Sequence, residues 1–377
     1  MSEHAASKQH KCSYCAEIDC WRLLFACVIV LYHCRSLGKL GDTNVALFRN
    51  GWIATEFFFL VSGYLQAESA ARSSLVSVPT ASCVFSFWYK KWKRFFPYVL
   101  SSYIGLWNCM GSYAGFAAVL PHLSHSLGEL SLTYMSGLGQ TLLNRPVWYL
   151  STLLVCSTIF QPLLKRHLHT FTRWIAPIAA VALLVWISRT DAPEGPFVWE
   201  GIAYRGLIRA LGCMLMGIAC QPVVQLLRQK RLCKTTRWLL FGLELCCFFI
   251  VLCIAQFGKV RELYGECIAL FGVAIVIAFA GVTPLAARIP RKLGKWLSEL
   301  SLSLFCSHWI VQYTLSHHAK DLMATLTRRR GSALSLALAL LLSIAMMFWV
   351  KLLRGCATSC KTAYERKIEG MDADADL

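Results

Sequence analysis

Two ionisable side chains, Arg22 and His33, stand eleven residues apart in CWRLLFACVIVLYHC, with mostly apolar residues between them. On a helix that spacing is about three turns, or ~16 Å, and it leaves both groups on nearly the same side. An arginine gives charge-assisted, bidentate hydrogen bonds to phosphate or carboxylate. An imidazole can serve as a general base, or as a nucleophile that accepts a group and passes it on. A carboxylate, Glu56, follows in the next apolar stretch, GWIATEFFFLVSGYL. At membrane depth a bare carboxylate costs several kcal/mol unless it is paired or protonated. His33 is the expected partner, because a carboxylate beside an imidazole orients the ring and raises its basicity. Taken singly, Arg22 is explained as well by snorkelling to headgroups, and His33 by helix packing.

The elements that must hold these groups are apolar helices. The chain has 377 residues, 56% of them hydrophobic and 15% charged, with mean hydropathy +0.52; a soluble globular chain is about 25% charged. The expected fold class is therefore an all-α, polytopic membrane protein. Apolar runs long enough to span give about ten transmembrane helices, near 20–37, 52–70, 95–119, 147–164, 174–188, 207–222, 238–257, 263–283, 297–315 and 333–353. The domain reading is a cytoplasmic segment 1–19, one integral membrane domain 20–353 and a cytoplasmic tail 354–377. The connections are too short to hold another fold. The first twenty residues are polar and no small-residue cleavage site follows the first run, so that run is expected to be retained.

Charge supplies the orientation. The formal net charge is +18, which in a soluble chain would suggest nucleic acid; here it is the excess of Lys and Arg that marks cytoplasmic loops, and no nucleic-acid partner is expected. With both termini cytoplasmic, inner segments hold 24 Lys+Arg and outer loops 11. Arg328, Arg329 and Arg330 fall in an outer loop and dissent from this bias. The loop 71–94 ends in WYKKWKRFFP, where aromatics alternate with cations in the manner of an interfacial helix. Eighteen cysteines lie mainly in apolar or inner segments, so no disulfide framework is implied. Cys12 and Cys15 have CxxC spacing without a second pair, and no metal site is expected.

Five blocks then carry a resemblance: Arg22 to His33, TEFFFLVSGYL (55–65), KKWKRFFP (90–97), RPVWYLSTLL (145–154) and LGKWLSELSLSLFCSHWIV (293–311). In this order they resemble the integral membrane acyltransferase 3 family over residues 18–353. The resemblance implies a membrane O-acyltransferase that takes an acyl group, usually acetyl, from cytoplasmic acyl-CoA to a hydroxyl of a cell-envelope carbohydrate or its lipid-linked precursor. It implies that Arg22 and His33 are essential, His33 as general base or acyl acceptor, and that Lys90, Lys91 and Arg94 join Arg22 in binding the donor. Lysine replaces arginine in part of that basic block, keeping charge but losing bidentate recognition. The resemblance further points to Trp148, Tyr149 and His308 on the acceptor side. From the residues alone, packing explains His308 equally, and interfacial anchoring is the preferred reading of Trp148. Arg205 and Arg209, one turn apart, are candidates for an anionic glycan or lipid phosphate, or for anchoring. The implied partners are acyl-CoA, a carbohydrate or glycolipid acceptor and membrane lipids, with no permanently bound cofactor. The implied location is a bacterial cytoplasmic membrane, and nothing in the sequence sets an oligomeric state.

The rival from another class is a multi-span transporter that uses His33 and Glu56 as a proton relay. Paired Gly/Pro-interrupted spans in two related halves would favour it, and none is evident. A third reading is an assembly component without catalysis.

Overall fold

Long runs of Leu, Ile, Val, Phe and Ala satisfy their own backbone as helices, which is what an apolar surrounding demands of a chain. The computed structural model describes residues 15–38, 46–72, 81–124, 126–138, 141–190, 192–286 and 288–375, and these residues are helical with no named strand. Its long helices are α1 (Ala16–His33), α2 (Ala54–Arg72), α3 (Ala81–Ala114), α4 (Trp148–Thr170), α5 (Ala176–Ser188), α6 (Arg205–Gln229), α7 (Lys234–Phe257), α8 (Tyr264–Ala280), α9 (Arg291–His317) and α10 (Arg328–Ala375). Each overlaps one of the apolar runs read from the sequence.

Four helical stretches among the described residues are long and apolar enough to cross a membrane by length and composition: Arg145–Ser188, Arg205–Gln229, Lys234–Phe257 and Arg328–Cys356. Large apolar side chains such as Ile178 on α5, Leu239 and Phe249 on α7, and Leu341 and Phe348 on α10 are exposed, as a lipid-facing surface requires. The chain is an integral membrane protein. α1, α2, α3 and α9 fall short of that apolar standard because they carry the buried or cavity-lining polar side chains, among them Glu17, Glu56, Glu68, Ser102 and His308.

Three boundaries differ from the sequence reading. The basic segment is not a separate surface piece: α3 begins at Ala81 and runs through Pro97 without a break, so Lys90, Lys91 and Arg94 share one helix with the apolar run beyond them. Where a loop was expected between the fourth and fifth runs, the helix breaks at His167 (φ −133°, ψ 44°), and a π-helical turn at Phe171–Ile175 leads into α5. The backbone of α10 stays helical to Ala375, through most of the expected tail.

An aromatic cluster ties α1, α2, α7 and α8 together: Phe25 sits 4.5 Å from Phe57 and 5.3 Å, edge on, from Phe271, while Trp21 sits 4.2 Å from Phe248 between ring centroids. A close crossing lies between α2 and α6. A Cβ placed on Gly63 would lie 2.0 Å from the Met214 carbonyl oxygen, and one on Gly217 2.0 Å from that of Leu60. Backbone meets backbone there, which only small residues permit. Gly63→Leu and Gly217→Leu are therefore expected to cost about 3 kcal/mol or more by overpacking. Detergent-solubilised yield and thermal half-life read this, with Gly242→Ala on α7, where nothing lies within 4 Å, expected to behave as wild type.

Candidate active site

α1 carries Arg22 and His33 on one unbroken helix, so helix rise alone separates them by ~16 Å. Cavities open at both of its ends. At the Arg22 end, a cavity of about 260 Å³ is lined by Arg22, Lys91 and Arg94 together with Ser62, Tyr149 and Phe305. A larger open one, about 1210 Å³, adjoins it through Arg22, Arg94 and Ser298 and adds Lys90, Lys93, Lys295 and Arg354. The four residues expected to hold the donor, Arg22, Lys90, Lys91 and Arg94, thus surround two adjoining spaces. Arg22 is held there by Asp19 at 3.2 Å and by donating to Ser298 Oγ at 3.1 Å. Lys91 Nζ donates to Ser157 Oγ at 2.9 Å on α4. So much positive charge around one opening suits a polyphosphorylated ligand.

At the His33 end a cavity of about 380 Å³ is lined by His33, Arg35, Trp52, Arg145, Trp148, Arg209 and Trp309, among others. This size falls in the range of small-molecule sites, and its aromatic walls are joined by three arginines and Glu194. The His33 ring stacks on that of His308 at 5.3 Å and meets Trp309 edge on at 5.4 Å. Among the described residues no side chain hydrogen-bonds the His33 ring. His308 is fully buried; its Nδ1 lies 3.1 Å from the Leu304 carbonyl oxygen. A carbonyl only accepts, so Nδ1 bears the proton and Nε2 is the acceptor nitrogen. That Nε2 is buried without a hydrogen-bond partner among the described residues.

Between the two ends runs an aromatic layer: Tyr149 to Phe305 at 5.1 Å, Phe305 to His308 at 6.0 Å, and His308 to His33 at 5.3 Å. Tyr149 and Phe305 line the Arg22-end cavity, while Trp148 lines the His33-end one. The adjacent pair Trp148 and Tyr149, expected together on the acceptor side, is divided between the two. Neighbours on a helix point about 100° apart, and here they part across the layer.

Glu56 is where the structure departs from the sequence expectation of a His33 partner. Arg209 donates through Nε to Glu56 Oε1 at 2.7 Å and through Nη2 to the same oxygen, and Cys213 Sγ lies 3.2 Å from Oε2. Arg209 Nη2 also reaches Thr55 Oγ1 at 3.2 Å. No hydrogen bond joins Glu56 to His33 among the described residues. The pair is fully buried, with side chains 1% and 0% exposed, and the guanidinium packs 5.0 Å from the Trp52 ring centre. The partner could not be read locally, because it stands 153 positions away and is brought in by the Gly63/Gly217 crossing. Arg205 is likewise occupied: it ion-pairs with Glu200 and donates to the Ala192 carbonyl oxygen, and it does not line the His33-end cavity.

Arg145 is a cavity residue that the sequence reading quoted only as part of a motif. The segment delivering it is fixed by Glu129, whose carboxylate accepts from the backbone N–H of Leu143 at 2.6 Å and of Asn144 at 3.1 Å. Asn144 Nδ2 then donates to Ser102 Oγ at 3.0 Å and to the Cys306 carbonyl at 2.9 Å, locking the start of α4 to α3 and α9. Among the described residues no cluster of three or more His, Cys, Asp or Glu could hold a metal ion. Cys12, half of the CxxC pair, lies outside the described residues.

Comparison with curated proteins gives no match, and comparison with solved structures gives none. The family model Acyl_transf_3, described as an acyltransferase domain, matches residues 16–352. Its match takes in both ends of α1, the basic half of α3, the start of α4 and the His308 region of α9, and the chain belongs to this acyltransferase family.

Proposed function

We propose that this acyltransferase moves an acyl group, acetyl in the first instance, from acyl-CoA at the Arg22 end to a hydroxyl of a cell-envelope carbohydrate or its lipid-linked precursor at the His33 end. In this reading the ten long helices span a bacterial cytoplasmic membrane, with the Arg22 end and both termini inside. The observation that carries it is the pair of cavities at opposite ends of α1, with the rings of Tyr149, Phe305, His308 and His33 in series from one to the other. Cations at one opening suit the phosphates of CoA. The pantetheine arm then lies along α1 and brings the thioester across ~16 Å to the imidazole, a length set by helix rise.

At the layer, His33 takes the proton of the acceptor hydroxyl as the oxygen attacks the thioester carbonyl. The C–S bond breaks, the thiolate leaves, and the proton passes to it, giving ester and CoA. A two-step route through acyl-His33 uses the same atoms: imidazole attack first releases CoA, and the hydroxyl then takes the acyl group from nitrogen.

The test is thiol release by the purified protein in proteoliposomes with acetyl-CoA, with and without a lipid-linked glycan extract. Sustained CoA release, beyond one equivalent per protein, only when acceptor is present, with label from the acetyl group in the glycan, supports transfer. Flux of a small solute without CoA consumption would instead identify a carrier.

A further inference from the structure

The charges at the His33 end do not cancel, and the way they fail to cancel specifies a ligand. Three carboxylates at or near this end, of which Glu194 lines the cavity itself, each have an arginine of their own: Glu56 with Arg209, Glu200 with Arg205 and Glu194 with Arg261. Two cations that line the cavity have no carboxylate partner among the described residues, Arg35 and Arg145. Arg35 is steadied by its own turn: it donates to the Tyr32 carbonyl oxygen at 3.0 Å and lies 4.1 Å from the Tyr32 ring centre. Arg145 lies 5.7 Å from the Phe197 ring centre, on the segment that Glu129 and Asn144 pin in place. Both forks therefore keep donors for something that enters, on the cavity that also holds His33.

Surface cations at a membrane boundary often serve only as headgroup anchors. These two differ in place: they line the same concave space as His33, Trp52 and Trp148, and one of them is on a segment built by buried hydrogen bonds. A fork of guanidinium donors at a cavity wall matches an oxyanion in two-point geometry. Aromatic walls beside it offer flat apolar faces for a sugar ring.

We propose that this cavity selects acceptors that carry an oxyanion, either a sugar carboxylate or the phosphate of a lipid carrier, and that Arg35 and Arg145 read it. The proposal rests on the transfer reading above for the idea that an acceptor enters here. It also moves the anion-binding role away from Arg205 and Arg209, which the structure commits to Glu200 and Glu56.

The experiment is calorimetric binding to the purified full-length protein with saturating CoA present, so that the Arg22 end is filled. Three probes are used: a glucuronate-containing disaccharide, a short-chain polyprenyl diphosphate and the neutral disaccharide maltose. At least one anionic probe is expected to bind about tenfold or more tightly than maltose, and the one that does identifies carboxylate or phosphate as the source. Arg145→Gln and Arg35→Gln are each expected to weaken that anion by about tenfold, the usual worth of a charge-assisted hydrogen bond. Maltose affinity should stay as it is, and Arg145→Lys should keep part of the binding. Equal affinity for anionic and neutral probes overturns the proposal, as does no measurable anion binding. So does an Arg145→Gln variant that binds the anion as wild type does but turns over slowly, since that would assign the residue to the developing charge of the reaction. Failure of the transfer reading is a separate result, absence of acceptor-dependent CoA release by wild type.

Discussion

His33→Ala is expected to abolish acyl transfer while leaving CoA binding unchanged. The imidazole lines the His33-end cavity with no side-chain hydrogen bond on its ring among the described residues, so nothing in the fold depends on its nitrogens. General base catalysis contributes about 10²- to 10⁴-fold, and loss on that scale is the expected drop in turnover. CoA affinity is set ~16 Å away at the other end of α1, so it should move little. His308→Phe keeps an aromatic wall against His33 but removes the buried Nε2, and a loss of about tenfold in turnover is expected from the altered ring packing. Arg22→Gln gives the opposite pattern, with the Michaelis constant for acetyl-CoA raised about tenfold or more, in keeping with a lost charge-assisted contact. Label transferred to the glycan and equilibrium CoA binding, both on detergent-purified protein, read the two effects. A folded His33→Ala protein that transfers at the normal rate would sink the assignment.

The second large effect concerns Glu56 and is structural. Glu56→Gln or Arg209→Gln leaves a buried charge without its partner, which costs about 3–5 kcal/mol. Either variant is expected to lose most of its thermal half-life and, with it, transfer activity. The double variant Glu56→Met/Arg209→Met removes both charges, and replacing a buried ion pair with apolar groups of similar volume is often neutral. Its half-life should therefore lie closer to wild type than that of either single variant. If the Glu56–Arg209 pair serves only to keep the Trp52 and Trp148 wall packed, transfer returns with stability. Should the double variant be stable yet fully inactive, the pair has a part in the reaction beyond stability, and Arg209, which lines the His33-end cavity, is the member placed to take it.

Much of the architecture was legible because it is local. Each long helix coincides with an apolar run, since an uninterrupted apolar segment has no other way to satisfy its backbone in lipid. Arg22 and His33 were legible as a pair for the same reason: they ride one helix, and rise per residue fixes their separation whatever the rest of the chain does. The basic block was legible as cationic. Its helical continuity with α3 was not, because Pro97 and the charges looked like a boundary, whereas proline inside the helix interrupts the bonding without ending it here.

What the sequence by itself determined, then, was the set of helices, the reach between the two ends of α1 and the family. What only the tertiary structure decided was pairing. Glu56 meets Arg209 and not His33; His33 stacks on His308, 275 positions further along the chain; Trp148 and Tyr149 part to different cavities; and Arg35 and Arg145, not Arg205 and Arg209, are the cavity cations left without a carboxylate among the described residues. The physical reason is that helix geometry fixes distances along one element only. Distances between elements come from how closely their surfaces pack, and at the Gly63 and Gly217 crossing two missing side chains let α2 and α6 touch, which sets Glu56 against its arginine.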